Sequence, residues 1–407
     1  MLPLWGQRSG DSRERGGRPL ISKFAFPTSI VFGAGASHQV GNHLVEAGYT
    51  RPLVVTDRGL AALPVFARFV AGLAGVDHAV YSGISGNPVQ SQVMQGAEAL
   101  RAHRADSVIG IGGGAALDVA KAIALMAEHP GDILEYAWDH PQVRSITKAL
   151  PWFVAVPTTA GTGSEVGRSS VISEDVTHIK KIIFSPALLA KAVFADPELT
   201  LDLPPAITAA TGMDALTHNV ESYLSPAWHP LCDGIAVEGV RMAAAALPIA
   251  VRDGHDLKAR GDMLMSSMMG AIAFQKDLGA VHSCAHALST VADLHHGLAN
   301  GIMIDHVLRF NLPSATAKLA ELARVARVPD GDAGSDEARA TRFVEWLGAL
   351  KAQLGIPAKL SDYTAARRVT SADIPLLVEI ATADICHQTN PRPCTAEDFR
   401  RIFADSM

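Results

Sequence analysis

The chain is expected to fold as an N-terminal α/β domain with a doubly wound, Rossmann-like parallel sheet, followed by an all-α C-terminal domain. Three observations support this. Short β-branched runs alternate with helix-length amphipathic segments as far as about Pro197, a pattern whose crossover connections imply parallel strands. After Asp196-Pro197, strand-like runs nearly vanish and Ala, Leu and Met continue at helical spacing. At 407 residues the chain also exceeds the usual size of one hydrophobic core.

Taken in order, residues 1–21 carry Arg8, Arg13, Arg15 and Arg18 among Gly and Ser, with no apolar stretch of secretory type, and read as a disordered tail. The α/β domain is expected over residues 22–200. Its strands are PLVVTD (52–57), HAVYSG (78–83), SVIGIGG (107–113) and FVAVPT (153–158), all β-branched and ending in Gly, Asp or a Pro-Thr step. The segments PVFARFVAGLAG, VQSQVMQGAEALRAH and AALDVAKAIALMAEH between them repeat apolar residues every three or four positions, as helices do. Pro197, Pro204 and Pro205 interrupt any continuing element, and a helical domain over residues 201–407 follows.

Composition narrows the function classes. A net charge of -6 without a basic run argues against a nucleic-acid surface, and no apolar run approaches 18 residues without a charge, which argues against a membrane span. Cys232, Cys284, Cys386 and Cys394 form no C-x-x-C pair, the usage of a reduced cytoplasmic enzyme. Small-molecule chemistry is the remaining expectation.

Two loops are candidates for binding a nucleotide. SVIGIGGGAALD joins a buried strand to a helix start through Gly110, Gly112, Gly113 and Gly114, where backbone amides and the helix N-terminus can receive a pyrophosphate. The spacing is not G-x-G-x-x-G, and a tight turn without a ligand is the competing reading. VPTTAGTGSEV supplies Thr158, Thr159, Thr162 and Ser164, hydroxyls suited to phosphate, ribose or the nicotinamide amide; an ordinary solvated loop is its alternative. Asp57 ends a strand and could accept from adenosine ribose hydroxyls while repelling a 2′-phosphate, favouring NAD over NADP, or could simply cap the next helix. Asp118 and Lys181 complete the candidate cofactor contacts.

The second half carries the candidate metal site. Asp214 and His218 stand four apart, so on a helix they project from one face and can close on one ion. Among 16 histidines such a pair also arises by chance. His282, His286, His295 and His296 cluster in GAVHSCAHALSTVADLHHGLANG. With His282 and His296 added to the pair, three imidazoles and one carboxylate suit Fe(II) or Zn(II) far better than Mg or Ca.

The chain resembles the iron-containing (group III) alcohol dehydrogenases, relatives of lactaldehyde reductase and butanol dehydrogenase. The resemblance rests on FPTSIVFGAG, GNPVQSQV, GIGGGAALDVAKAIA, VPTTAGTGSEV, ADPELTLDLPPAITAATGMDALTHNVESYLS, AVHSCAHALSTVADLHHGLANGIM and NPRPCTAEDFRRIF, in order across nearly the whole chain. It implies a dehydroquinate synthase-like architecture and metal ligation by Asp214, His218, His282 and His296. It further implies His286 as a proton-relay histidine near the nicotinamide, His295 as a non-ligating residue that supports the adjacent ligand or the fold, and Leu278 and Cys386 beside the substrate. The implied activity is hydride transfer between NAD(H) and a small primary alcohol or aldehyde, with the metal acting as Lewis acid on the substrate oxygen. A homodimer is implied by analogy.

This sequence also departs from the family pattern. Ala115 replaces the serine of GGGSxxD, Gly167-Arg168 follows GTGSEV, and AFQKDLGAVH is one residue shorter than its counterpart. That shortening places Lys276 near the expected substrate pocket, where its ammonium could neutralise an anionic tail such as that of a semialdehyde. Two other functions compete. A hydroxyacid-oxoacid transhydrogenase would retain its nucleotide, and a lyase of the dehydroquinate-synthase type would use NAD only transiently.

Overall fold

The computed structural model of the chain describes residues 28–73, 75–363 and 367–407, preceded by two short paired strands, Arg13–Glu14 and Arg18–Pro19. The expected tail, residues 1–21, otherwise lies outside the described residues. The chain divides into two units, one holding the residues up to Thr159 together with Gly163–Thr200, the other Ala160–Thr162 with Leu201–Met407.

The first unit contains strands β1 (Ser29–Phe32), β2 (Pro52–Asp57), β3 (Ala79–Ile84), β4 (Ser107–Gly112), β5 (Trp152–Pro157), β6 (Ser169–Ser173), β7 (Lys180–Phe184) and β8 (Ala192–Ala195). Six of them form one parallel sheet in the order β1-β8-β5-β4-β2-β3, while β6 and β7 make a separate antiparallel hairpin. Helices α1 (Val40–Glu46), α2 (Pro64–Ala71), α3 (Gln90–His103) and α4 (Gly114–Glu128) connect the strands. The residues of β4 are buried throughout, and those of β2 except Asp57. Strands covered on both faces need apolar residues at every position, which is why they read as continuous runs instead of alternating ones. Because β4 pairs with both β2 and β5, their C-terminal ends are adjacent. Asp57, the glycine loop and Thr158 therefore meet at one edge of the sheet.

The second unit is helical: α5 (Pro205–Leu224), α6 (Pro230–Arg252), α7 (Leu257–Ala273), α8 (Ala280–Ala292), α9 (His296–Val325), α10 (Asp336–Leu354), α11 (Ile374–Ala383) and α12 (Ala396–Asp405). Proline opens α5 and α6 at positions where no amide hydrogen is needed. Ser335 caps α10 by accepting from the Ala338 amide, and Gly355 ends it in the left-handed conformation. α5 packs against α6, α7 and α9 and is buried along most of its length. A helix surrounded by others presents little polar face, so it tolerates the small residues Ala209, Ala210 and Gly212 that let its neighbours approach. α6 is long and apolar enough to cross a membrane by length and composition alone, and here it packs on α5 and α7.

Candidate active site

The first unit holds a cleft of about 540 Å³ at the end of the sheet, lined by Asp57, Arg58, Gly59, Gly86, Gly113 and Ala116 among others. Gly112 closes β4 at φ +146°, and a Cβ there would lie 2.7 Å from the Ala116 side chain. Only glycine allows this turn, which carries the chain from strand into the first turn of α4. The opening amides of α4, which have no partner inside the helix, can then serve an anion. Asp57 caps the helical turn that follows β2. Its Oδ1 accepts from the Leu60 amide at 2.8 Å, and Oδ2 is turned towards Gly112.

The second loop is tied to the first unit by a buried polar knot. Thr158 donates its amide to the Gly112 carbonyl at 3.0 Å, and Thr159 lies beside Gly113. Ser164 donates to Asp118, whose other oxygen accepts from the Val171 amide at 3.0 Å. The ammonium of Lys121, fully buried, donates to Ser164 Oγ at 2.7 Å and to the Ser169 carbonyl at 2.8 Å. Asp118 and Ser164 are thus engaged within the protein, joining α4 to the loop and to β6. Burial pushes the neighbouring Glu165 carboxyl up to about 7 despite the nearby Lys121 charge. Lys181, on β7, pairs with Asp139 at 2.6 Å. Thr162 belongs to the short stretch that groups with the helical unit.

In the helical unit, Asp214, His218, His282 and His296 come together. Asp214 Oδ1 lies 3.9 Å from His218 Nε2, 3.8 Å from His282 Nε2 and 3.5 Å from His296 Nε2. These separations are too long for good hydrogen bonds and suit donors that share one ion at about 2.0–2.2 Å from each. His282 Nδ1 donates to Glu221 Oε2 at 2.6 Å, so its Nε2 keeps a free lone pair facing the cluster. Glu221 also accepts from the amides of Gly279 and Val281, at 3.1 and 2.7 Å. The Asn300 amide donates to Asp214 Oδ1 at 2.7 Å and lies 3.3 and 3.2 Å from the Nε2 atoms of His282 and His296.

The electrostatics of the cluster fit a cation. Burial alone would raise Asp214, but the surrounding imidazoles outweigh it and hold the carboxyl well below its ordinary range. Burial also disfavours a charged His282, yet Asp214 and Glu221 overcome this and push the ring up to about 9. His218, mainly through burial, is held at about 4. One buried carboxylate with a second behind it, facing three imidazoles, is a donor set that a divalent metal ion would satisfy by displacing protons.

Beside the cluster, His286 stacks on His296 with ring centroids 5.2 Å apart, and its Nδ1 donates to Asp384 Oδ2 at 2.7 Å. Asp384 also accepts from Ser283 Oγ at 2.8 Å and from the Cys386 amide at 2.9 Å. Cys386 is buried, and one donor atom each from His286, Asp384 and Cys386 lie within 4.8 Å of one another. His295 caps α9, its Nδ1 accepting from the Leu298 amide at 3.4 Å. Leu278 accepts a hydrogen bond from Thr389 through its carbonyl.

Lys276 is not placed as the sequence suggested. Its ammonium is fully buried in an ion pair with Asp233 and donates to the Tyr223 carbonyl at 3.3 Å. A charge neutralised in this way does not serve an anionic substrate tail. Glu221, Asn300 and Asp384 are site residues that sequence reasoning missed. The first two carry a signal nonetheless, since Glu221 follows Asp214 at i+7 and His218 at i+3, and Asn300 follows His296 at i+4, on the same helix faces.

Residues 27–197 match the family described as iron-containing alcohol dehydrogenase, and residues 208–407 match the C-terminal domain of the Fe-containing alcohol dehydrogenase family. The chain is 38% identical to the 4-hydroxybutyrate dehydrogenase of Cupriavidus necator over 391 residues, 93% of this chain and 98% of that protein. The crystal structure of a 1,3-propanediol oxidoreductase superimposes with a TM-score of 0.90 at 34% identity, covering 95% of this chain and 100% of that one. A sulfoacetaldehyde reductase from Bifidobacterium kashiwanohense, solved in complex with NAD+, gives a TM-score of 0.83 at 28% identity, covering 95% and 99%.

Proposed function

Since the chain belongs to the iron-containing alcohol dehydrogenase family, we propose that it interconverts a small primary alcohol and its aldehyde with NAD in preference to NADP and Fe(II) in preference to Zn(II). Its oxidoreductase class, acting on CH-OH with a nicotinamide cofactor, follows from that membership and disfavours the transhydrogenase and lyase readings. The single observation that carries the reading is the gathering of three imidazole Nε2 atoms around Asp214 Oδ1.

Asp214, His218, His282 and His296 would hold the ion, which when bound supplies Lewis-acid polarisation of the substrate oxygen. The nucleotide supplies the hydride acceptor or donor. The chain's own residues do the remaining work. Glu221 fixes the His282 tautomer. Asp384 fixes His286 with its Nδ1 protonated, leaving Nε2 free to take the hydroxyl proton as the alcohol is oxidised, or to return it to the substrate oxygen as the aldehyde is reduced to the alcohol. Asp57 supports the NAD preference, because the carboxylate of a strand-end aspartate accepts from ribose hydroxyls and repels a phosphate.

The test is an anaerobic assay with Fe(II) or Zn(II), NADH or NADPH, and a panel of small aldehydes, following nucleotide absorbance. The proposal expects turnover with NADH and Fe(II), and a smaller kcat/KM with NADPH and with Zn(II). Equal efficiency with the two nucleotides, or full activity with Zn(II) alone, would overturn the corresponding part. We further infer a homodimer in the cytoplasm, which sedimentation and cell fractionation would check. The four cysteines, none of them in a disulfide, support a reducing compartment.

A further inference from the structure

Between α7 and α8 the backbone makes a turn that L-residues rarely adopt. Asp277 has φ +66° and ψ -179°, a region open essentially to glycine and costing other residues about 1–3 kcal/mol. Its surroundings hold it there. Lys276 is fixed on one side by its ion pair with Asp233 and by the Ser225 hydroxyl, which donates to the Lys276 carbonyl at 2.6 Å. On the other side the Leu278 carbonyl accepts from Thr389 Oγ1 at 2.8 Å, and the Gly279 amide is held by Glu221. The Asp277 amide itself donates to the Phe274 carbonyl at 2.8 Å. Glycine would occupy this position without strain, so the aspartate is held here at a cost.

The carboxyl of Asp277 accepts no hydrogen bond from any of the described residues, and burial pushes it up to about 7. It is close enough to Cys386 that its charge adds to burial and to Asp384 in raising that thiol. Cys386 in turn adjoins His286, which stacks on the metal-ligand candidate His296. Thr389 Oγ1, which donates to the Leu278 carbonyl, also donates to the Cys386 carbonyl at 3.3 Å, so the turn that carries Asp277 adjoins the Cys386 turn, on the same helical unit as the ligand candidates.

Building on the dehydrogenase reading above, we propose that Asp277 determines specificity by binding the far end of the substrate, favouring an alcohol or aldehyde with a second hydroxyl over one ending in a methyl or a carboxylate. A hydroxyl can donate to the ionised carboxyl or accept from the protonated one. A methyl leaves a poorly solvated polar group without a partner, and a carboxylate brings a like charge to a place where Lys276 is already committed to Asp233. Sites that hydrogen-bond a substrate hydroxyl discriminate strongly against analogues lacking it.

The experiment compares kcat/KM for 1,3-propanediol, 1-propanol and 4-hydroxybutyrate with the Fe(II)-loaded enzyme and NAD, for wild type, Asp277→Gly and Asp277→Asn, with thermal melts of each. Wild type is expected to prefer the diol over both competitors by at least about tenfold. Asp277→Gly should melt higher, through release of strain, and should lower the diol-to-propanol ratio at least about tenfold, chiefly through the KM of the diol. Asp277→Asn should keep most of the diol-to-propanol ratio while admitting 4-hydroxybutyrate. A ratio unchanged in Asp277→Gly, or a wild-type preference for 4-hydroxybutyrate over the diol, would overturn the assignment while leaving the dehydrogenase reading intact. No turnover of any of the three by wild type would overturn both.

Discussion

At the residue scale the arrangement around the ligand candidates is decided by groups that touch no substrate. Glu221 is buried, accepts from His282 Nδ1 at 2.6 Å and receives three backbone amides, those of Gly279, Val281 and His282, at the start of α8. It thereby fixes both a side chain and the element that carries it. Replacing it with glutamine keeps the shape, removes the charge and leaves the His282 tautomer undecided. Glu221→Gln is expected to weaken Zn(II) or Fe(II) binding to the apo-protein by about 10–100-fold, measured by chelator competition. An affinity within twofold of wild type, with an unchanged melting temperature, would show that His282 is oriented without it. Asp277 illustrates the converse, a residue kept in a costly backbone conformation by locked neighbours.

At the element scale, two helices of the second unit bring three of the four ligand candidates together. α5 carries Asp214 and His218, and α9 begins at His296. Their approach depends on Gly297, where a Cβ would lie 2.4 Å from the Ala210 carbonyl oxygen and 2.9 Å from its carbon. Backbone cannot yield as the end of a side chain can, so the helices must separate. Gly297→Ala is expected to cost about 1–3 kcal/mol and to abolish tight metal binding. Gly234→Ala on α6, where nothing lies within 4 Å of the added methyl, should lower neither stability nor affinity. Thermal melts and metal titration of the two variants check this, and comparable losses in both would refute the close-approach argument. The elements differ in how openly the sequence announces them. β2 and β4, covered on both faces, appear as unbroken apolar runs bounded by turn residues, and α3 and α4 keep a helical period. β1 and β8 are four-residue strands, and the β6–β7 hairpin mixes Ser and Lys with its apolar residues. Neither gives a pattern long enough to read. Asp214 and His218 are legible from spacing because one helix holds both. Asp384 is not, because it lies 98 residues from the His286 it orients and only tertiary structure pairs them.

At the scale of the whole molecule, the two kinds of ligand draw on different parts of the chain. The four metal-ligand candidates lie in the helical unit, whereas the glycine loop and Asp57 lie in the sheet unit. A ligand that binds only the folded state stabilises it by RT ln(1 + [L]/Kd), about 2.7 kcal/mol at a hundred times Kd, and the stabilisation appears first where its contacts are. Hydrogen exchange followed by mass spectrometry should therefore separate the two effects. Adding Zn(II) to apo-protein is expected to slow exchange in α5, in α8 and in the first turns of α9, which carry the ligand candidates and the amides held by Glu221. Adding NAD alone is expected to slow exchange at the C-terminal ends of β2 and β4 and in the first turn of α4. Removing the metal with a chelator should reverse the first pattern and leave the second in place. Protection by Zn(II) confined to the sheet unit, or protection by NAD confined to α5 and α9, would mean that the chemistry is divided between the units differently.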